Sequence, residues 1–467
     1  MTRATLRWRL IAGTVAVSLI LAACSGQQAS PAQPSILPTG GPTEAATAAP
    51  TAAPISISFW HVPWYINVPG YETANYGDWE KHLASEFTKS HPNVTIDVQV
   101  VDWGEVAAKV TTAVQAGTTP DIYFDDSLRQ NTWAAEPGLI ENIRDLVPPE
   151  VLGRILPAYL DAVNVNDVIT TLPTRVDAYG MMECNKALLD EAGVQLPVDG
   201  VWSVSEFEAA MSKVAQPGQR WPLVVRLADE QGDYDWLGFF FSFGARPFNA
   251  ELTQSTLGSP EGTAALEWLV ELNDRGWVLP GTTTIAFGDV DTAFYTGKLV
   301  CRGGRPNHLA LAENAKAEGK ITGPFESAIV LYPHADDKPP VGGWVFVSGL
   351  QVFKQTDDAK REAIGDFLAF VASKESMAAQ AKTGHISPYT DVGNPLTSDP
   401  LLGTALDKSA DWIGKHGVAD QGFKTPRFYP CRLARIPYIQ QALLGQLTPE
   451  AALTALDRQC DEILKAL

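Results

Sequence analysis

The stretch from Ser25 to Pro54 decides where folding can begin. It is built almost wholly from Ala, Pro, Thr, Ser, Gly and Gln, carries the single charge Glu44, and has too few large apolar side chains to bury. A segment of this composition is a semi-extended tether. Folded structure is therefore expected only in residues 55–467. That remainder is too long for one compact core and suits two, at the usual ~100–200 residues per domain.

Ahead of the tether, Arg3, Arg7 and Arg9 precede an apolar run from Leu10 to Leu21 and then small residues, the layout of a secretory signal. The run is shorter than the ~20 residues that cross a bilayer, so it reads as a removable segment, and no later run is apolar enough to span. Leu21-Ala22-Ala23-Cys24 resembles the lipobox, at which a diacylglycerol is attached to the cysteine thiol and the chain is cut before it. Residues 1–23 are thus expected to be a signal peptide and 24–54 a tether acylated at Cys24, with two or three chains giving stable anchoring on the outer face of the cell membrane.

Removing three arginines with the signal takes the formal charge from −19 to near −22, which argues against nucleic-acid partners and reads as solubility. Cys24 apart, Cys184, Cys301, Cys431 and Cys460 remain, an even set for an oxidising compartment that allows three pairings. Leu433–Leu444 and Pro449–Leu464 read as a helical hairpin about Gly445–Thr448, which would bring Cys431 opposite Cys460 and leave Cys184 to Cys301. No C-x-x-C spacing suggests a metal site, and no cofactor is expected.

Hydrophobic periodicity predicts strands over Ile55–His61, Val94–Val100 and Asp121–Phe124, with helices over Tyr76–Ser90 and Glu105–Ala116 between them. This order implies α/β structure with a parallel sheet, binding residues lying beyond the carboxyl ends of its strands. Those ends are Trp60-His61, Val101-Asp102-Trp103 and Asp125-Asp126. Further helices are expected from the capping box of Ser203 and Glu206 to Val214, over Pro260–Asp274 and over Asp358–Ser373. Strands are expected over Tyr179–Cys184, Lys298–Arg302, Ser327–Tyr332 and Trp344–Ser348. There is no tandem repeat and no second low-complexity linker.

Several short runs, in this order, resemble the extracellular solute-binding proteins of ABC importers, of the sugar-binding kind related to maltose-binding protein. They are Phe87-Thr88-Lys89-Ser90-His91-Pro92-Asn93-Val94, Ala116-Gly117-Thr118-Thr119-Pro120-Asp121, Leu188-Leu189-Asp190-Glu191-Ala192-Gly193-Val194, Phe294-Tyr295-Thr296-Gly297-Lys298, Gly342-Gly343-Trp344 and Ala363–Val371 followed by Thr383-Gly384. The resemblance implies a two-lobed periplasmic-binding-protein-like α/β fold with interleaved lobes. Residues 55–171 with 335–386 would form one lobe and 172–334 with 387–467 the other, joined by three crossover hinges near Thr171–Val176, Tyr332–Ala335 and Gly384–Pro388. It also implies a monomer that captures a carbohydrate by hinge closure and passes it to permease subunits in the membrane.

A pyranose offers an apolar C–H face and a rim of hydroxyls, which aromatic planes and fixed polar groups respectively would meet. Ligand-binding residues are accordingly expected among Trp60, His61, Asp125, Asp126, Asp177, Trp236, Arg305 and Trp344, with Trp60 and Trp344 as stacking surfaces. Trp133, Trp221 and Trp268 are assigned to core, and Asn307 and Arg427 are secondary candidates. Where the family often has Gly-Pro-Trp, this chain has Gly304-Arg305-Pro306-Asn307, which leaves room for an acidic sugar or a sugar phosphate. No catalytic residue is expected: there is no G-x-S-x-G, no H-E-x-x-H and no Gly-rich phosphate loop. The competing readings are a lipid-anchored surface glycoside hydrolase, whose paired carboxylates a sequence cannot reveal, and a ligand-sensing binding protein not used for transport.

Overall fold

The computed structural model describes residues 53–466 apart from 343, 419 and 420, so the predicted signal, Cys24 and nearly all of the tether lie outside the described residues. The fold opens as its periodicity demands. β1 (Ile55–His61) buries Ile57, Phe59 and His61 on one face, and the intervening residues turn to the other. α1 (Asp78–Ser90) buries Trp79, Leu83 and Phe87, four residues apart on one stripe. β2 (Val94–Val100) follows. α2 (Val106–Ala116) ends at Gly117, whose left-handed φ of 66° lets its N–H close the last turn. β3 (Ile122–Asp126) is buried along its whole length and runs directly into the one-turn helix α3 (Ser127–Gln130).

A short hairpin, β4 (Asn164–Val165) and β5 (Val168–Ile169), precedes β6 (Leu172–Tyr179) and β7 (Met181–Asn185). β8 (Cys301–Gly303), β9 (Ser327–Leu331) and β10 (Trp344–Val352) complete the strands. They make a five-stranded sheet in the order β2-β1-β3-β10-β6 and a three-stranded sheet in the order β8-β7-β9. The first sheet is mixed. β1 pairs in parallel with β2 and β3 as the helical crossovers require, whereas β10 is antiparallel to both β3 and β6.

Each sheet carries its own core. Ile57, Phe59, Ile122, Leu350, Ile364 and Phe367 belong to the first; Met182, Leu189, Phe207, Phe239, Leu266 and Leu453 belong to the second. β10 passes between them, with Phe346 in the second core and the adjacent Val347 in the first. β6 makes the same passage: Leu172 packs in the first core, Tyr179 pairs with Trp344, and Gly180, at φ 110°, turns the chain into β7. A third strand of chain meets this ladder where Val176 N–H donates to the carbonyl of Ile386. In the second core, helices Phe428–Leu443 and Pro449–Lys465 form an antiparallel pair bridged by a Cys431–Cys460 disulfide, and Cys184–Cys301 joins paired positions of β7 and β8.

The β6–β10 ladder shifts register between Ser348 and Gly349, and a methyl group at Gly349 would come within 2.0 Å of the Leu172 carbonyl oxygen. Gln130 of α3 clamps the same point by donating to the Gly349 carbonyl at 2.9 Å. Gly349→Ala is predicted to cost about 1–3 kcal/mol, the usual range for overpacking, read as a lower urea midpoint at unchanged m-value. An unshifted midpoint would contradict the packing described.

Candidate functional site

The carboxyl ends of the three parallel strands each deliver one side chain to a common place. Trp64 follows β1, Trp103 follows β2 and Arg129 lies on α3 just after β3. Trp64 and Trp103 meet edge to face with ring centroids 4.8 Å apart, and the Arg129 guanidinium lies 5.3 Å from the Trp103 ring. From the connecting ladder, Arg175 lies over Trp64 at 3.3 Å. From the second core, Arg305 approaches Trp64 at 5.2 Å and Tyr234 at 6.0 Å, and Arg432 lies 5.5 Å from Tyr234. Arg432 in turn acts electrostatically on Asp126, the N-cap of α3, which closes the circuit back to Arg129. The result is a ring built of guanidiniums and aromatic side chains, supplied by both cores.

Carboxylates hold each guanidinium. Asp125 accepts from Arg129 Nε at 2.6 Å, Arg129 Nη2 at 2.5 Å, its neighbour's amide at 2.7 Å and the Tyr123 hydroxyl. Asp126 accepts from the Arg129 amide at 3.1 Å and Arg129 Nη2 at 2.9 Å. Burial pushes the Asp126 carboxyl up to about 6, against the opposing pull of Arg129. Asp177 accepts from Arg175 Nε at 2.9 Å, Arg305 Nη1 at 2.9 Å, Ser348 Oγ at 2.7 Å and Arg175 Nη2. Burial alone would raise Asp177, but Arg175 and Arg305 outweigh it and hold its carboxyl below the usual range. Asp233 takes Arg432 in a two-pronged bond, 2.7 Å on each side. Glu230, from the second core, accepts from Tyr429 at 3.0 Å and stands 3.9 Å from Arg129 Nη1. Beside Trp64, a cleft of about 320 Å³ opens against Asn67, Asn307, Asn314 and His385. Among the described residues no cluster of His, Cys, Asp or Glu is arranged to hold a metal ion.

The expected residues are distributed unevenly about this ring. Asp125, Asp126, Asp177 and Arg305 are brought together in it. Trp60 instead faces α2, with Lys109 Nζ 4.4 Å from its ring. Trp236 is buried in the second core, edge-on to Phe240 at 5.5 Å. Trp344 opens β10 opposite Tyr179. Arg427 donates to the Ala466 carbonyl, and Asn307 lines the cleft. Trp268 packs in the second core, and Trp133 and Trp221 lie partly buried against hydrophobic clusters. Sequence reading missed Arg129, Arg175, Tyr234 and Arg432. Two of these carried a signal: Arg129 is one helical turn from Asp125, and Arg175 shares a strand face with Asp177.

Residues 82–404 match the sequence model of the bacterial extracellular solute-binding protein family, a span of more than half the chain. The chain belongs to this family. Among solved structures, a solute-binding protein of Thermotoga lettingae bound with α-D-tagatose is 20% identical, covering 88% of this chain and 100% of that one at a TM-score of 0.73. The maltose-bound MalE3 of T. maritima is 20% identical over 88% and 100% of the two chains, with a TM-score of 0.72. The cyclic α-maltosyl-1,6-maltose binding protein of Arthrobacter globiformis is 21% identical over 88% and 100%, with a TM-score of 0.67. At these identities the likeness establishes the two-lobed α/β fold of this solute-binding protein. A curated relative, a candidate binding protein of Brucella abortus, is 26% identical over 230 residues, so the chain spans about half of its length, 54%. No described helix is long and apolar enough to cross a membrane.

His61, the last residue of β1, lies away from the ring, fully buried with Nε2 2.6 Å from Glu80 Oε2. Burial lowers the imidazole to about 3 and raises the Glu80 carboxyl to about 8, so the solute-binding protein holds both partners uncharged at neutral pH. The folded protein keeps a proton on Glu80 that the unfolded chain releases above the ordinary value of 4.5, so this group costs stability progressively as pH rises from there to about 8. His61 acts on the other side: the unfolded chain takes up a proton below 6.5 that the folded one refuses, so stability is lost as pH falls from 6.5 towards 3. Glu80→Gln is predicted to remove a slope on the order of 1.4 kcal/mol per pH unit between pH 5 and pH 8, measured by urea melts of both proteins. Parallel slopes in variant and parent would contradict the assignment.

Proposed function

We propose that this protein is the substrate-binding component of an ABC importer, anchored outside the cell through Cys24, which closes on a carbohydrate and releases it unaltered to the permease. The lobes would be residues 55–171 with 335–386 and residues 172–334 with 387–467, moving about the β6–β10 ladder as a hinge. The observation that carries this reading is the ring: the aromatic side chains of Trp64, Trp103 and Tyr234 stand beside held guanidiniums, and both cores contribute. Aromatic planes suit the C–H faces of a sugar, and fixed charged donors suit its oxygens. A ring shared between two cores is complete only when they approach, so a ligand that touches both favours the closed state. The saccharides bound by tagatose-, maltose- and cyclic maltosyl-maltose-binding relatives support the class of ligand.

A thermal-shift panel of mono- and oligosaccharides on the full mature chain tests the reading, since a ligand at 100 times its Kd stabilises the fold by about 2.7 kcal/mol. At least one saccharide should raise the melting temperature and leave the incubation chemically unchanged by chromatography. Trp64→Ala should weaken that saccharide at least tenfold, about 1.4 kcal/mol, by calorimetry. Steady release of a cleaved product would establish the hydrolase instead, and no shift with any saccharide would overturn the carbohydrate reading.

A further inference from the structure

Around Asp125 and Asp177 the ring's hydrogen-bonding capacity is lopsided. Asp125 and Asp177 each accept four hydrogen bonds from protein donors, the full complement of a carboxylate's lone-pair sites. Neither has room for a hydrogen from a ligand hydroxyl. The donors, by contrast, are not used up. Arg129 Nη1, Arg175 Nη1, Arg432 Nη1 and Trp64 Nε1 are buried with no hydrogen-bond partner in the protein, and the three arginines are 1–3% exposed. Buried donors left unmatched are costly, so such a set marks what the site is complementary to. A neutral sugar hydroxyl must donate as well as accept. An oxyanion only accepts.

One carboxylate already shows how an oxyanion would be received. Glu230 Oε1 approaches Arg129 Nη1 but stops at 3.9 Å, beyond hydrogen-bond reach, while the same oxygen accepts from the Tyr429 hydroxyl. It faces the donor without satisfying it. Arg305 adds a further guanidinium, 2.9 Å from Asp177 and against both Trp64 and Tyr234.

We propose that the ligand is an acidic saccharide, a sugar bearing a carboxylate, whose oxygens take the unmatched guanidinium donors while its ring lies against Trp64 and Tyr234. This rests on the carbohydrate-binding reading above and narrows it. Arg129 binds the carboxylate in place of the distant Glu230, and Arg175 and Arg432 supply the flanking donors. The arginines remain oriented by Asp125, Asp177 and Asp233, so they are preorganised and pay little side-chain entropy on binding.

The test is calorimetry on the full mature chain with glucuronate, galacturonate and digalacturonate, each set against its carboxyl-reduced counterpart, at two salt concentrations. At least one acid should bind ten times more tightly than its reduced form, with the preference shrinking at high salt as ion pairing is screened. Glu230→Gln, which keeps an oxygen for Tyr429 and removes the competing charge, should tighten the acid two- to tenfold relative to its reduced counterpart. Equal or tighter binding of the reduced forms would overturn the acidic ligand while leaving a carbohydrate-binding protein. Binding of neither form, with no response to the wider saccharide panel, would overturn both readings.

Discussion

The antiparallel ladder between β6 and β10 is the constraint on which the remaining structure depends. It is where one sheet ends and the other core begins: Val347 packs in the first core and Phe346 in the second, one residue apart. The same ladder places Arg175 opposite Ser348 and Asp177 opposite Phe346, so this pair of the ring is fixed by strand register rather than by loops. A slip of one residue would turn both to the other face. The close approach at Gly349 and the clamp from Gln130 pin that register.

Burying Arg129, Arg175 and Arg432 almost completely is expensive, because each charge gives up its hydration. Their carboxylate partners offset much of this, and the net contribution of such pairs to stability is commonly small. What the pairs provide is direction. A guanidinium held at Nε and one Nη by a carboxylate, as Arg175 is by Asp177, cannot swing, and its remaining nitrogen points where the fold puts it. Rigid donors of this kind discriminate between ligands far better than flexible ones, since a mismatched ligand leaves them unpaired. The His61–Glu80 pair in the first core follows the opposite course, relieving its desolvation by giving up charge altogether.

Much of the framework was legible in the chain itself. β1, α1, β2, α2 and β3 lie within two residues of the periods that predicted them, because alternating and four-apart apolar residues leave few other ways to bury a face. The first helix of the C-terminal hairpin begins five residues before its predicted start, at Phe428, and continues through Pro437, which periodicity alone treats as unfavourable. The site was less legible. Asp125 and Asp126 were legible from a strand end and Arg305 from a departure from the pattern of the resemblance, whereas Asp177 enters the ring from within β6. Trp60 was proposed for standing at a strand end, yet strand parity sets it opposite Phe59 and His61, on the face that α2 covers. Tyr234 and Arg432 come from segments roughly 100 and 300 residues from Asp126, and only the packing of the two cores brings them to it. Pairings at that range have no local signature in one sequence.

The central claim is that the ring between the cores is where a ligand is held. Hydrogen–deuterium exchange of the full mature chain, with and without a saccharide that raises its melting temperature, tests it most directly. The account predicts slowed exchange together in the segments around Trp64, Trp103 and Arg129 of the first core, Arg175 of the ladder, and Tyr234, Arg305 and Arg432 of the second. Slowed exchange confined to one core, or appearing only away from these segments, would contradict it.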